Sequence, residues 1–300
     1  MADKSGQAEI RGINIDKLAT GFAEEPVILK RFCSVSNTSA REIRWYKKTA
    51  GFLDSTDTTG ITLSQIPTSS GSRPVVVEQS WTRQTSYVKK FFVESPTITY
   101  EDIKDSDPDV LGDNVRDLVR GVQRQVEIRI YSVLAEADAA TPTTPNPTDT
   151  NTAVATANGW NDTATGDPIL DINLGIKNIR SYSYDVSNLV IYMNEAEEMH
   201  LKNYLINVKG SSIPQFASDQ VTKTKLMEIL GCRIVVSASA TTDYVCMFVP
   251  NKAVAWKSFM GIKTAVMDDP GIGKKIRVWE EGEALLKHPK AVHWITDTIV

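Results

Sequence analysis

Two consecutive segments of the chain carry its strongest structural signal: VVVEQSWTRQTSYVKKFFVESPTITY (residues 75–100) and DPDVLGDNVRDLVRGVQRQVEIRIYSVLAEA (residues 107–137). The first segment is rich in β-branched and aromatic residues, which favour β-strands. Its middle is polar on both faces, because Trp81 is the only large apolar residue between Glu78 and Ser86. A long strand without an apolar face needs a neighbour to lie on, and its open edges invite pairing with another chain. The segment therefore predicts an extended β-ribbon that packs on a second subunit.

The second segment has the period of one long amphipathic helix. Asp107 is suited to cap it, and Pro108 fits the first helical position because no N–H is needed there. The apolar side chains that follow recur every three or four residues and form one stripe. They are Leu111, Val115, Leu118, Val122, Val126, Ile130, Val133 and Ala137. At ~1.5 Å per residue, a helix from Pro108 to Ala137 is about 45 Å long, far beyond the usual ~11 to 12 residues.

The opposite face of this predicted helix is charged. It carries Asp113, Arg116, Asp117, Arg120, Arg124, Glu127 and Arg129. The stripe breaks the heptad pattern, which disfavours a coiled coil, and the glycines at 112 and 121 would weaken a free-standing helix. We interpret Gly112 and Gly121 as positions where the helix backbone approaches a sheet closely.

Composition and charge limit the class of protein. Of the 300 residues, 41% are hydrophobic, which is enough for one elaborate domain or two modest ones. The net charge of −4 argues against a protein that coats nucleic acid by neutralising phosphates. The sequence starts polar, and no stretch reaches the ~18 apolar residues that would span a bilayer. We therefore expect a soluble protein, made in the cytosol, with no membrane partner.

No group of residues has catalytic or ligand-binding spacing. The three cysteines are Cys33, Cys232 and Cys246, and the three histidines are His200, His288 and His293. Neither set has the spacing of a disulfide framework, a zinc site or an H-E-x-x-H helix. A G-x-S-x-G nucleophile elbow is also missing. The sequence therefore predicts no catalytic, cofactor-binding or metal-binding residue, and no enzyme.

Paired acids and a glycine-rich run receive structural interpretations. Adjacent acidic side chains usually point apart, so the pair Glu280-Glu281 is predicted to lie in a solvated turn or surface rather than in a site. The run GIGKK (residues 271–275) lacks the G-x-x-x-x-G-K-[ST] spacing of a phosphate loop and precedes a strand. It predicts a hairpin turn.

Downstream of the long helix the sequence changes character twice. Nine of the 25 residues from 141 to 165 are threonine and three are proline, which predicts an exposed insertion. From Asp167 onward, helical and strand patterns are mixed without strict β-α-β alternation. They include a helix over 168–182, a strand over 189–193, a helix capped by Asn194 and a short helix that ends at Gly231. The chain is therefore predicted to be an α+β protein.

The order of arm, long hairpin, long helix and α+β domain resembles the major capsid proteins of tailed double-stranded DNA bacteriophages, which have the Hong Kong 97 type fold. The run WTRQTSYVKKFFVESPTITYEDI (residues 81–103) is similar to the returning limb of that family's extended loop. Residues 107–137 are similar to its spine helix. The similarity is one of layout across nearly all 300 residues. It implies an N-terminal arm, an extended β-hairpin loop, a long spine helix, and peripheral and axial domains.

The resemblance also implies a division of the chain. Residues 1–50 form the N-terminal arm and first peripheral strand, 51–92 the extended loop, 93–140 the peripheral domain with the spine helix, 141–166 the exposed Thr/Pro-rich insertion, 167–269 the axial domain, and 270–300 the return strands to the peripheral domain. The extended loop is expected to lie over an adjacent subunit. The axial domain is expected to meet its copies around fivefold and sixfold axes.

By resemblance, the chain is a structural protein that self-assembles into an icosahedral shell around double-stranded DNA, without sequence-specific binding and without a cofactor. Its expected partners are copies of itself in hexamers and pentamers, with portal and decoration proteins possible. About 40 residues precede the shell-like region, which implies a separate scaffolding protein or none. The expected location is the virion capsid, assembled in the host cytoplasm. The candidate inter-subunit contact residues are Trp81, Arg83, Tyr87, Lys89 and Lys90.

Two other functions remain open from sequence alone. The first is an encapsulin-like nanocompartment shell that is filled with enzyme cargo instead of DNA. The Thr/Pro-rich insertion and the lack of an apolar cargo-binding segment near the amino terminus lean against it. The second is a soluble α+β enzyme with an unidentified site, which predicts a cluster of perturbed ionisable groups.

Overall fold

A computed structural model describes residues 28–47, 70–71, 82–105, 110–138, 141, 143–156, 159–162, 164–208 and 228–299. The α-helices in these ranges are α1 (Tyr100–Asp105), α2 (Val110–Leu134), α3 (Pro168–Ser181) and α4 (Glu195–Asn203). The strands are β1 (Ser34–Asn37), β2 (Glu42–Lys47), β3 (Thr82–Tyr87), β4 (Lys89–Glu94), β5 (Ile98–Thr99), β6 (Asn151–Val154), β7 (Val190–Met193), β8 (Glu228–Ile229), β9 (Cys232–Val236), β10 (Tyr244–Phe248), β11 (Val254–Asp269), β12 (Gly273–Leu286) and β13 (Val292–Thr296). Short 3-10 turns cover Leu29–Phe32 and Pro289–Ala291.

The first sheet has five strands in the order β1-β11-β12-β4, with β5 also paired to β12. Strands β11 and β12 form a long antiparallel hairpin, so the turn predicted at residues 271–275 is confirmed. The N–H of Ile272 donates to the Asp269 carbonyl at 3.0 Å. Gly271 adopts φ +81°, the left-handed conformation that a Pro-Gly type II turn requires at this position.

The second sheet has six strands in the order β6-β13-β10-β7-β9-β8. Strand β7 is buried at every residue, and the largest core is built on this sheet. Helix α3 packs closely against it at Gly175. A Cβ at that position would lie 2.5 Å from Met247 Sδ and 2.9 Å from His293 Cδ2. Glycine is required there because the helix touches the sheet through its backbone.

Helix α2 joins the two sheets, and its predicted apolar stripe is confirmed. The first half of the helix packs on the first sheet, where Val122 lies in a cluster with buried Ile98, Ile276 and Val278. The second half contributes Val126 and Ile130 to the core of the second sheet. The predicted cap, Asp107-Pro108, lies outside the described residues. One helix thus contributes side chains to both hydrophobic cores.

The interpretation of Gly121 as a point of close approach is wrong. Gly121 is exposed, and a Cβ built on it meets nothing within 4 Å. The residue one position later, Val122, faces the sheet instead. Helical periodicity explains the difference, since consecutive residues project about 100° apart around the axis.

The prediction that residues 141–165 are an exposed insertion is wrong for β6 and for Trp160. Strand β6 pairs in parallel with β13 and forms an edge of the second sheet. Trp160 is 2% exposed, and its Nε1–H donates to Asp171 Oδ2 at 2.8 Å. Threonine is a good strand residue, so a threonine-rich composition alone did not separate a polar edge strand from an exposed loop.

Two smaller features differ from expectation. The residues directly before Gly231 form β8, not the end of a helix. Leu230 and Gly231 both have positive φ, +51° and +76°, and connect β8 to β9 as a two-residue hairpin turn. The end of the predicted arm is part of the subunit's own body, because β1 pairs in parallel with β11 and Leu29 is 1% exposed.

Candidate assembly interface

Strands β2 and β3 form a separate antiparallel ribbon at the base of the predicted extended loop. Because side chains alternate along a strand, one face of this ribbon is inward and the other outward. The outward face, here called the ribbon outer face, consists of the exposed Arg44, Tyr46, Arg83, Thr85 and Tyr87 and the half-buried Glu42, which forms an ion pair with Arg44. Tyr46 is 61% exposed and Tyr87 65%. Two tyrosines and two arginines on one solvent face match the composition of protein interfaces.

The inward face of the ribbon fixes it to the subunit body. Ile43 is buried, and Trp45 Nε1–H donates to the Leu286 carbonyl at 3.4 Å. Lys47 forms ion pairs with Asp149 and with Glu136, 3.3 Å away. The ribbon outer face is therefore held in a defined orientation by groups that lie behind it.

Glu136 organises the region behind the ribbon. It lies just after α2 with φ +50°, and its Oε2 accepts N–H bonds from Thr148 (2.6 Å), Asp149 (2.8 Å) and Thr150 (3.2 Å). The carboxylate thus closes the loop that leads into β6. Its other oxygen, Oε1, faces Lys47, so one side chain links the ribbon, the end of α2 and the second sheet.

The structure brings two of the five predicted contact residues together. Arg83 and Tyr87 lie on the ribbon outer face, beside Arg44 and Tyr46, which the sequence reasoning missed. The missed pair follows from strand register, since Tyr46 opposes Arg83 directly. Trp81 lies outside the described residues.

The predicted contact residues Lys89 and Lys90 lie on β4, beyond the ribbon. Lys89 is exposed and pairs in register with Gly282. Lys90 stands over the ring of Phe92, with Nζ 4.9 Å from its centroid, and 5.9 Å from that of Trp279. Arg277 Cζ lies 5.9 Å from the Phe92 centroid on the same face. These side chains cover the face of the first sheet opposite α2.

Three acidic residues of β12, here called the β12 acidic row, are buried where the arm, the ribbon and α2 meet. Glu280, Glu281 and Glu283 are 2%, 5% and 0% exposed. The ion pairs are Lys30 with Glu280, Arg41 and Lys90 with Glu281, and Arg129 with Glu283. Arg41 Nη2 is 3.3 Å and Lys90 Nζ 4.0 Å from Glu281, and Arg129 Nε is 3.0 Å from Glu283 Oε1.

The interpretation of Glu280-Glu281 as a solvated pair is wrong. Burying a carboxylate without a cation is strongly unfavourable, so the row requires its basic partners to be in place. Those partners come from the arm, from the residue just before β2, from β4 and from α2. One feature of the sequence could have indicated burial: the row comes directly before the apolar run 284–286 and lies in the same strand. Sequence spacing did not indicate the partners, which are distant along the chain.

Search for a catalytic or metal centre in the described residues gives no candidate. No group of three or more His, Cys, Asp or Glu side chains there is arranged to hold a metal ion. His293, one of the histidines predicted to have no catalytic or metal-binding role, is fully buried, and burial lowers its pKa to about 4. Burial likewise raises the pKa of Cys33 to about 12. In the same ranges, no helix is both long and apolar enough to cross a membrane.

Comparison with known protein families identifies the chain. A family model described as phage capsid protein matches residues 96–291. The chain belongs to this family. It is therefore a structural protein of a capsid shell, and the recognition of a major capsid protein in the sequence is confirmed. Its place is the virion capsid.

Solved structures show the same fold at low sequence identity. The mature capsid of bacteriophage PhiM1 matches with a TM-score of 0.65 and 13% identity, over 95% of this chain and 90% of that chain. A Mycobacterium phage Che8 structure matches with a TM-score of 0.64 and 13% identity, over 98% and 99%. A virus-like particle from Pyrococcus furiosus matches with a TM-score of 0.55 and 10% identity, over 89% and 91%. No curated protein matches by sequence. The α+β, Hong Kong 97 type fold is confirmed, and a nanocompartment shell is less well supported than a phage capsid.

Proposed function

We propose that this capsid protein self-assembles, through hexamers and pentamers, into an icosahedral shell that encloses double-stranded DNA without reading its sequence. The observation that carries the proposal is the ribbon outer face. It presents Tyr46, Arg83 and Tyr87 to solvent while the opposite face is tied to the subunit. Tyrosine and arginine give large contact areas at interfaces. A neighbouring subunit is the partner that this face fits.

Assembly from such faces explains why a subunit stays soluble before the shell closes. Each ribbon buries its outer face only when a neighbour arrives, and many moderate contacts add up in a closed symmetric lattice. Trp81 and Lys89 extend the proposed contact region along the loop and β4. Lys90 has a divided role, since it already faces Glu281 within its own subunit.

The remaining expectations belong to the same proposal. We place domain boundaries at 50, 92, 140 and 166, and within 141–166 strand β6 belongs to the second sheet. The expected boundary at 269 is wrong, because β11 pairs with β12 in the first sheet and β13 returns to the second. The partners are a portal, decoration proteins and a scaffolding protein, and assembly takes place in the host cytoplasm. The protein has no enzymatic activity in this proposal, in keeping with the structural role of its family.

Removal of the two tyrosine rings tests the proposal. In the variant with Tyr46→Ser and Tyr87→Ser, we expect the concentration needed for shell formation to rise at least about tenfold, because interface aromatics dominate binding energy. Shells are measured by light scattering after size exclusion and by negative-stain microscopy. The free energy of unfolding of the unassembled subunit should change by less than about 0.5 kcal/mol, since both side chains are exposed.

The matched control replaces both residues by phenylalanine, which keeps the rings and removes only the hydroxyls. This variant should assemble nearly as well as the unmodified chain. Equal assembly of the serine variant would show that the ribbon outer face is not an interface. A strictly monomeric unmodified chain, with and without a scaffolding partner, would overturn the proposed assembly as a whole.

A further inference from the structure

One end of the second sheet gathers loops from three parts of the chain. Loop 182–188 precedes β7, loop 249–253 follows β10, and residues 287–290 precede β13. The Lys287 N–H donates to the Ala253 carbonyl at 3.0 Å, and Tyr184 Oη lies 3.3 Å from His288 Nδ1. These contacts hold the loops together as one surface. With Arg180 and Arg233 beside them, they are called the sheet-end surface.

The sheet-end surface is strongly basic on an acidic protein. It carries five basic side chains, Arg180, Arg233, Lys252, Lys287 and Lys290, against two carboxylates, Asp185 and Glu228, of which Glu228 lies opposite Arg233 in the β8-β9 register. Arg180, Arg233 and Lys252 are exposed, and the other two are half-buried. Within the described ranges, no carboxylate lies within 4 Å of any of the five. Their charge is therefore available to a ligand.

Aromatic rings lie among these cations. Lys290 Nζ is 5.3 Å from the centroid of the Tyr182 ring, and Arg233 Cζ is 5.4 Å from that of Phe32. The rings of Tyr184 and His288 meet edge to face, with centroids 6.0 Å apart. These contacts restrict the motion of Lys290 and Arg233 before a ligand arrives, which lowers the entropy cost of binding it. The result is an ordered set of positive charges.

Two arginines of α2, Arg116 and Arg120, provide a contrast. Arg116 Nη1 lies 3.3 Å from Asp113, and Arg120 Nη1 lies 3.7 Å from Asp117, each one turn away on the same helix. Their charges are largely compensated locally. In the described ranges, the five cations of the sheet-end surface have no ion pair within 4 Å, so the two basic regions differ in what they offer a polyanion.

We propose that the sheet-end surface binds the phosphate backbone of DNA. This inference rests on the proposed enclosure of DNA, and it assigns the sheet-end surface to the inside of the shell. Recognition is by charge and is independent of sequence, because contacts of lysine and arginine with phosphates carry no sequence information. Phosphate contacts weaken with salt, so a few of them restrain packaged DNA without holding it irreversibly.

The test compares two variants with equal loss of charge. The first carries Lys252→Gln, Lys287→Gln and Lys290→Gln at the sheet-end surface. The control carries Lys263→Gln, Lys274→Gln and Lys275→Gln on the β11-β12 hairpin. Binding of each full-length chain to a short fluorescein-labelled DNA duplex of random sequence is measured by anisotropy over a series of salt concentrations. Circular dichroism checks that both variants are folded.

We expect the sheet-end variant to bind DNA at least about tenfold more weakly at ~0.1 M salt, with a salt slope smaller by about 2 to 3, since each phosphate contact contributes ~0.9. The control should bind like the unmodified chain. Three results would overturn the inference: no DNA binding by the unmodified chain, full binding by the sheet-end variant, or an equal loss in the control. Shell formation is scored separately by light scattering, so a failure to assemble would count against the proposed function alone.

Discussion

Around the second sheet, helices and strands meet mainly through apolar side chains, and the buried carboxyl groups of Asp171 and Glu197 accept hydrogen bonds from neutral donors. Neither ring nitrogen of His293 has a hydrogen-bond partner among the described residues. Around the first sheet, α2 also packs through the apolar cluster at Val122, but the arm, the residue before β2, β4 and α2 are in addition tied to the β12 acidic row by ion pairs. Apolar packing depends on area and shape. A buried ion pair depends on one particular partner, and its loss leaves an uncompensated charge.

The difference indicates separate roles for the two regions. The second sheet is a fixed body whose stability comes from its own core. The first sheet holds the segments that reach other subunits, and its ion pairs select one arrangement of the arm and the ribbon. Buried ionic groups often provide specificity rather than net stability. We therefore expect the two regions to respond differently to loss of charge and to acid.

The largest effect is expected where a charge of the β12 acidic row loses its partner. Arg129→Ala leaves Glu283, which is 0% exposed, without its cation. We expect the free energy of unfolding to fall by about 3 kcal/mol, because one uncompensated charge remains buried. Urea denaturation of the unassembled subunit at neutral pH measures the change.

A double variant separates specificity from stability at the same place. Arg129→Met with Glu283→Leu removes both charges and keeps the volume. Its stability should lie within about 1 kcal/mol of the unmodified chain, while shell formation is impaired if the row orients α2 and the ribbon. A double variant as unstable as Arg129→Ala would mean that the ion pair itself stabilises the fold, and the contrast between the two sheets would fail.

Acid should act mainly on the second sheet, through His293. Its pKa is about 4 in the folded protein and 6.5 ordinarily, so between these values the unfolded chain binds a proton that the folded chain excludes. Stability is therefore lost as the pH falls from about 6.5 to 4, by about 3 kcal/mol in total. Urea denaturation at intervals across this range measures the slope.

His293→Leu isolates this contribution from the carboxyl groups. The variant removes the titrating ring, so its stability should fall less between pH 6.5 and 4 than that of the unmodified chain. The difference between the two profiles of unfolding free energy against pH gives the contribution of His293. Parallel profiles would mean that the ring is protonated without opening the core, against the description of the second sheet as a fixed apolar body.

The sequence was most informative where one pattern determined one element. The apolar stripe of α2 persists over eight positions, and no other element satisfies that period. The ribbon was predicted from its lack of an apolar face, but its described part has an inner face with buried Ile43 that lies on its own subunit. Packing on a second subunit stays a prediction. Arg83 and Tyr87 were found as contact candidates from the same polar pattern, whereas Tyr46 needed the strand register that pairs it with Arg83.

The sequence was least informative where partners are distant along the chain. The β12 acidic row is paired with Lys30, Arg41, Lys90 and Arg129, and no local spacing connects these residues. Strand β6 was missed because a parallel edge strand takes its order from β13, about 140 residues later. In both cases distant tertiary contacts cause the burial, whereas the local composition predicts exposure to solvent.

The smallest effect is expected at Gly121, near the end of the part of α2 that packs on the first sheet. Its Cβ position is open, so Gly121→Ala should raise the free energy of unfolding by about 0.5 to 1 kcal/mol through helix propensity alone. Gly175→Ala in α3 is the matched control and should destabilise, because its Cβ would lie 2.5 Å from Met247 Sδ. Urea denaturation measures both. If Gly121→Ala lowers stability instead, α2 must bend at this residue to serve both cores, and the two sheets are not joined by one rigid helix.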